Sequence, residues 1–142
     1  MLGLGTVIGA GLVITAAVGM QYSDSRPFCA TCHVMEQAAL THSRSPHAKL
    51  ACNDCHAPHN LLAKIPVKAR AGLTDFLANI SGRDVPLQAG TWTRDIVDAN
   101  CRACHGVTVG GIMDAKPYCA DCHRGTAHQN KTPISQREAA DE

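Results

Sequence analysis

At 142 residues the chain has the size of one domain, and with a formal net charge of +1 nothing points to a nucleic acid partner. One Trp, two Tyr and two Phe are too few aromatic side chains to build a strong core for such a domain. Something else must supply the apolar bulk, and eight Cys with eight His stand out against this thin background.

The first element is Met1 to Met20, MLGLGTVIGAGLVITAAVGM, which carries no charge. As a helix, twenty residues span about 30 Å, the thickness of a hydrocarbon core. The stretch predicts a transmembrane anchor helix over residues 1–22. A cleaved signal peptide is the competing reading; its apolar stretch is usually shorter, although Ala17-Val18-Gly19 is a passable cleavage pattern. Gly5 and Gly9 have the G-x-x-x-G spacing that lets two helices pack closely. The first positive charge, Arg26, follows the apolar run. Export of the remainder calls for Lys or Arg before the span, so a short basic segment upstream of Met1 is expected.

Four identical patterns come next. They are Cys29-Ala-Thr-Cys32-His33, Cys52-Asn-Asp-Cys55-His56, Cys101-Arg-Ala-Cys104-His105 and Cys119-Ala-Asp-Cys122-His123, with no cysteine left over. C-x-x-C-H is the attachment signal for c-type haem. Two thiols add across the two vinyl groups on one edge of the porphyrin, and the following His then lies under the ring, in reach of the iron. A zinc ribbon or a set of disulfides would also use paired cysteines, but neither needs a His after every second Cys. The expected cofactors are four covalently bound haem c groups, which also provide flat apolar bulk. The expected fold is mostly α with long loops and little sheet: a compact tetrahaem domain over residues 23–142 with the haems as its core. Two two-haem units, around 29–56 and 101–123, flank an inserted helical segment at 57–100 that holds no cysteine.

Within the insert, Pro66 fits a helix start, and Val67, Leu73, Phe76, Leu77 and Ile80 recur at roughly helical spacing. Ser81-Gly82 marks the expected end. Lys68 and Asp75, seven residues apart, share one face about 10 Å apart along the axis. Taken alone they read as a solvated pair of opposite charges.

Several stretches resemble a known family. They are Arg26-Pro27-Phe28-Cys29 with Cys32-His33-Val34-Met35, then Ser45-Pro46-His47-Ala48, then the run from Cys52 through Ala57-Pro58-His59-Asn60 to Lys64, and the ending from Lys131 to Glu142. The most telling are C-x-x-C-H-x-M at the first site and C-H-x-P-H at the second. The chain resembles the NapC/NirT family of tetrahaem quinol dehydrogenases, in particular the NrfH-type small subunits of ammonia-forming cytochrome c nitrite reductase complexes.

Four histidines lie outside the motifs: His42, His47, His59 and His128. Counting alone suggests four bis-histidine haems, although His59 is too close to His56 to reach the opposite face of the same haem easily. The resemblance implies a different set. His128 becomes the distal ligand of haem 3 opposite His105, and His47 that of haem 4 opposite His123. At haem 1 it implies ligation by Met35 with His33 displaced, and thioether ligation favours the reduced state. At haem 2 it implies His56 and, as sixth ligand, a lysine from the catalytic partner subunit, with His42 and His59 in lesser roles such as hydrogen bonding to propionates. Asp75 matches an acidic residue beside haem 1, and Lys68 matches a basic residue of the quinol pocket.

The same resemblance implies the activity: menaquinol oxidation at the outer face of the cytoplasmic membrane, with single electrons passed to a periplasmic multihaem nitrite reductase. Self-association through that complex is left open. Two other readings stay alongside: a quinol dehydrogenase for another periplasmic reductase, of nitrate or trimethylamine N-oxide, and a plain electron shuttle without a quinol site.

Overall fold

An uncharged run of Gly, Ala, Val, Ile and Leu has no reason to bend. In the computed structural model, which describes residues 2–82, 89–109 and 118–128, it forms one long helix, α1, over Leu2–Asp24. Its large side chains, from Leu4 to Val18, face outward, and the stretch Gly3–Asp24 is long and apolar enough to cross a membrane. Tyr22, at its end, meets Phe28 edge-on at 5.7 Å.

Beyond the anchor the described residues form six helices and no strand. These are α2 (Arg26–Cys29), α3 (His33–Ser43), α4 (Cys52–His56), α5 (Leu61–Ile80), α6 (Thr91–His105) and α7 (Cys119–Cys122). Local signals explain most of the starts. Ser25 caps α2, with Pro27 in the first turn. The Asp54 carboxylate accepts the Ala51 N–H at 2.8 Å and closes the start of α4.

The helix of the insert begins at Leu61, earlier than the Pro66 start that the sequence suggests. Asn60 is the reason. Its side-chain oxygen accepts the N–H groups of Leu62 at 2.9 Å and Ala63 at 3.3 Å. Pro66 then falls inside α5, and the helix forgoes only the bond from residue 66 to the Leu62 carbonyl. The expected end holds: Ser81 caps α5, and Gly82 follows at φ 62°.

Little apolar side chain is buried. Among the described residues only Ala39, Ala57 and Val67 form an apolar core, and no large side chain is fully buried. Polar clamps hold the helices instead. Asn100 of α6 donates to the carbonyls of Cys55 at 2.9 Å and Ala57 at 2.8 Å, which joins α6 to α4. Arg26 donates to Ala48 O at 3.1 Å. Asp98 accepts the Cys119 N–H at 2.9 Å, and the Arg94–Asp121 ion pair adds a second tie between α6 and α7. The ending Lys131 to Glu142, part of the resemblance, lies outside the described residues.

Candidate functional site

Each attachment motif sits on a helix or at its edge. Motif two is α4 itself, motif three is the last turn of α6, and α7 carries motif four. Motif one differs: Cys29 ends α2, Cys32 is extended, and His33 opens α3. All eight thiols are unpaired.

The thiols also sense one another in order. Cys29 and Cys52 hydrogen-bond, so one proton serves both: Cys52 drops to about 7 while Cys29 is pushed up. Burial, with the Cys101 thiol beside it, raises Cys55. Cys119 is raised chiefly by hydrogen bonding with Asp98, and Cys101 lies within its field as well. The four motifs therefore follow one another through space as they do along the chain.

The histidines sort by which ring nitrogen is engaged. His47 Nδ1 meets Thr126 O at 3.2 Å, and His128 Nδ1 meets Ala38 O at 3.1 Å, which leaves Nε2 free on both. A backbone carbonyl on Nδ1 fixes the tautomer and orients a metal-binding imidazole. His33 and His59 are the reverse. His33 Nε2 bonds Asn79 O at 3.0 Å while its backbone N–H donates to Asn79 Oδ1 at 3.0 Å, and His59 Nε2 bonds Asp54 O at 3.1 Å. His42 is buried, its pKa is lowered by burial, and its Nδ1 has no partner.

Ring positions bring His47 to 6.0 Å from His105, and His128 to 6.0 Å from both His56 and His42. Among the described residues no such ring contact joins His128 to His105 or His47 to His123, the pairs that the resemblance implies. Met35 is half-buried in the first turn of α3.

Lys68 and Asp75 lie on the inward side of α5, and both charges reach Cys29 of the first motif. Lys68 Nζ does not point into solvent. It donates to Ser23 Oγ at 2.6 Å and Met20 O at 3.4 Å, and it pairs with Asp24. Lys64 pairs with the same carboxylate at 2.5 Å, and Asn53 donates to it at 2.8 Å. The C-terminal end of the anchor thus receives two ammonium groups where helix carbonyls are exposed. Asp75 makes no hydrogen bond or ion pair with another described residue, and burial raises its pKa. Asp24, Lys64 and Asn79 were not among the sequence candidates. One hint was available: an acid ends an otherwise uncharged span, and two lysines stand four residues apart on α5.

The residues present suit covalent haem. Eight unpaired thiols, a His after each pair, two further imidazoles with Nε2 free, and a shell whose buried apolar side chains are all small form a consistent donor set. With a membrane-length helix in front, these features define a membrane-anchored c-type cytochrome.

The comparisons agree. Residues 1–117 match the model of the NapC/NirT cytochrome c family, N-terminal region. The chain is 50% identical, over 97% of its length and 89% of the relative's, to the cytochrome c nitrite reductase subunit NrfH of Nitratidesulfovibrio vulgaris. It is 30% identical to the cytochrome c-type protein NapC of Haemophilus influenzae, over 78% of this chain and 70% of that one. It also matches a chain in the crystal structure of the cytochrome c nitrite reductase NrfHA complex bound to the HQNO inhibitor, with a TM-score of 0.86, 49% identity and full coverage of both chains. This chain belongs to the NapC/NirT cytochrome c family, and it carries covalently bound haem behind a membrane anchor.

Proposed function

We propose that this chain is the quinol dehydrogenase subunit of a cytochrome c nitrite reductase complex. It holds four haems on the periplasmic side of the cytoplasmic membrane, oxidises menaquinol, and delivers electrons to a catalytic multihaem subunit that reduces nitrite to ammonia. The observation that carries this reading is the placement of Lys68 and Asp75, whose charges both reach Cys29 beside the end of the membrane anchor. The 50% identity to the NrfH subunit, against 30% to the NapC protein, favours nitrite reductase as the partner.

The eight motif cysteines, Cys29, Cys32, Cys52, Cys55, Cys101, Cys104, Cys119 and Cys122, carry the haems. Bound haem supplies single-electron acceptors in series. The chain's own residues do the rest. Lys68, held at the end of α1, places a positive charge where a quinol oxygen develops negative charge. Asp75, without a hydrogen-bonding partner and raised in pKa by burial, takes a proton from the quinol hydroxyl. Two electrons and two protons leave each quinol, so proton acceptors are needed apart from the irons.

Met35 would be the chain's iron ligand at the first site. Support comes from His33, whose Nε2 is held by Asn79. His56, His105 and His123 would hold the irons at the other three sites. His47 and His128, with Nδ1 engaged and Nε2 free, would provide the further imidazoles for the irons. A lysine of the partner subunit would complete the second site.

Anaerobic nitrite reduction by the purified native complex, driven by a reduced menaquinol analogue, tests the proposal. The expected result is nitrite-dependent quinol oxidation with ammonium formed, slowed by HQNO. Quinol oxidation indifferent to nitrite would move the partner to another reductase. Four intact haems without quinol oxidation would leave an electron shuttle.

A further inference from the structure

Helix α5 is built inside out for a protein in water. Its inward side carries Val67 together with charged groups: Lys64 and Lys68 at the end of the anchor, and Asp75 near Cys29. The opposite side carries Leu62, Ile65, Leu73, Phe76, Leu77 and Ile80, which share one face at helical spacing. Their exposures run from 49% to 82%. The first attachment motif lies on the charged side, away from this face. Such a contiguous apolar stripe marks an interaction surface.

What covers it follows from where α5 is tied. Lys64 and Lys68 bond the last turn of α1, at Met20, Ser23 and Asp24. That turn is where the apolar span stops, at the boundary between hydrocarbon and headgroups. These contacts are direct, so the first half of α5 lies within one side-chain length of this same level. Aromatic groups mark the level too: Tyr22 packs on Phe28, and the chain's single Trp, Trp92, stacks under Arg70 of α5 at 4.8 Å and stays 41% exposed.

We propose that α5 is a second membrane contact, an interfacial helix lying in the headgroup layer with its Leu62–Ile80 stripe in the acyl region. Lys64 and Lys68 face the protein, and Arg70 flanks the stripe beside Trp92. The proposal needs the anchor but not the quinol site, so it stands or falls apart from the reading above.

The test uses the native complex reconstituted in phosphatidylethanolamine and phosphatidylglycerol vesicles. These contain a phospholipid with a diazirine in its acyl chain, and peptides are mapped by mass spectrometry after illumination. The expected adducts fall on α1 and on Leu62, Leu73, Phe76 or Ile80 of α5. The double substitution Leu73→Glu with Leu77→Glu should cut the α5 adducts by about tenfold or more. The α1 adducts and the haem spectrum should match the parent. Adducts confined to α1 would overturn the proposal. So would chemical cross-links from the α5 stripe to the partner subunit or to a second copy in place of lipid adducts.

Discussion

Asp75 has a carboxylate without a hydrogen-bonding partner among the described residues, in a place where burial penalises its charge. Its folded pKa lies above the unfolded one. The stabilisation linked to its proton is therefore present at low pH and is lost as pH rises through the raised pKa. Above that point the ionised group is a stronger base than an exposed aspartate. Quinol oxidation should rise with pH across this titration and then level off. Asp75→Asn should abolish that limb and slow turnover by on the order of 10²-fold with the haem content unchanged. Parent-like quinol kinetics in the variant would remove Asp75 from the chemistry. Asp24 acts one contact further back, because Lys68 is held by it and by Ser23. Asp24→Asn leaves two partly buried ammonium groups short of a counter-charge, at a cost of about 1–3 kcal/mol. The expected signature is a KM for the quinol analogue raised by roughly 3- to 10-fold with kcat little changed. The reverse pattern would show that Asp24 does not position Lys68. The cysteines and motif histidines were legible in sequence because attachment chemistry dictates their spacing. The Asp24–Lys64 pair was not, since 40 residues separate its members and no spacing rule links them.

Helix α5 shows the same contrast at the level of an element. Its apolar recurrence predicts a helix, and Ser81-Gly82 predicts the end; both signals are local and both match the structure. The start was misplaced because proline is a strong signal for a first turn, while the cap was an ordinary asparagine four residues after a haem motif. Asn60→Ala removes the acceptor for two N–H groups and should cost about 1 kcal/mol, read as a lower melting temperature by circular dichroism at the helix band. An unchanged melt would mean that the first turn of α5 is held by packing instead. The two sides of α5 were only half legible. Periodicity tells which residues share a face, but not which face meets the rest of the chain. Here the charged side is inward, against the usual expectation for a helix in water.

In the whole molecule, the work of a hydrophobic core is shared between cofactors and backbone clamps. The expected mostly α architecture with little sheet is what the described residues show. How the segment of the first two motifs meets that of the last two could not be read from the sequence, because the ties are buried amide and imidazole contacts between residues far apart in the chain. Asn100, next to Cys101, spans to the carbonyls flanking His56 and so couples the second motif to the third. Asn100→Ala leaves two carbonyls without their donor and should cost about 1–3 kcal/mol. It should also slow electron passage between the halves, measurable as a slower reoxidation phase when nitrite is added to the reduced complex. Stability and reoxidation both equal to the parent would show that the Asn100 amide does not couple the second motif to the third.

The ion pairs at the foot of the anchor also impose an order of events during biosynthesis. At synthesis rates of about 5–20 residues per second, the 40 residues between Asp24 and Lys64 take roughly 2–8 s to appear. Both motifs of the first pair lie within that interval, so Cys29 to His56 emerge before the helix that will close over them. These thiols are therefore exposed before Lys64 and Lys68 are there to tie α5 to the anchor, which leaves an open side for attachment.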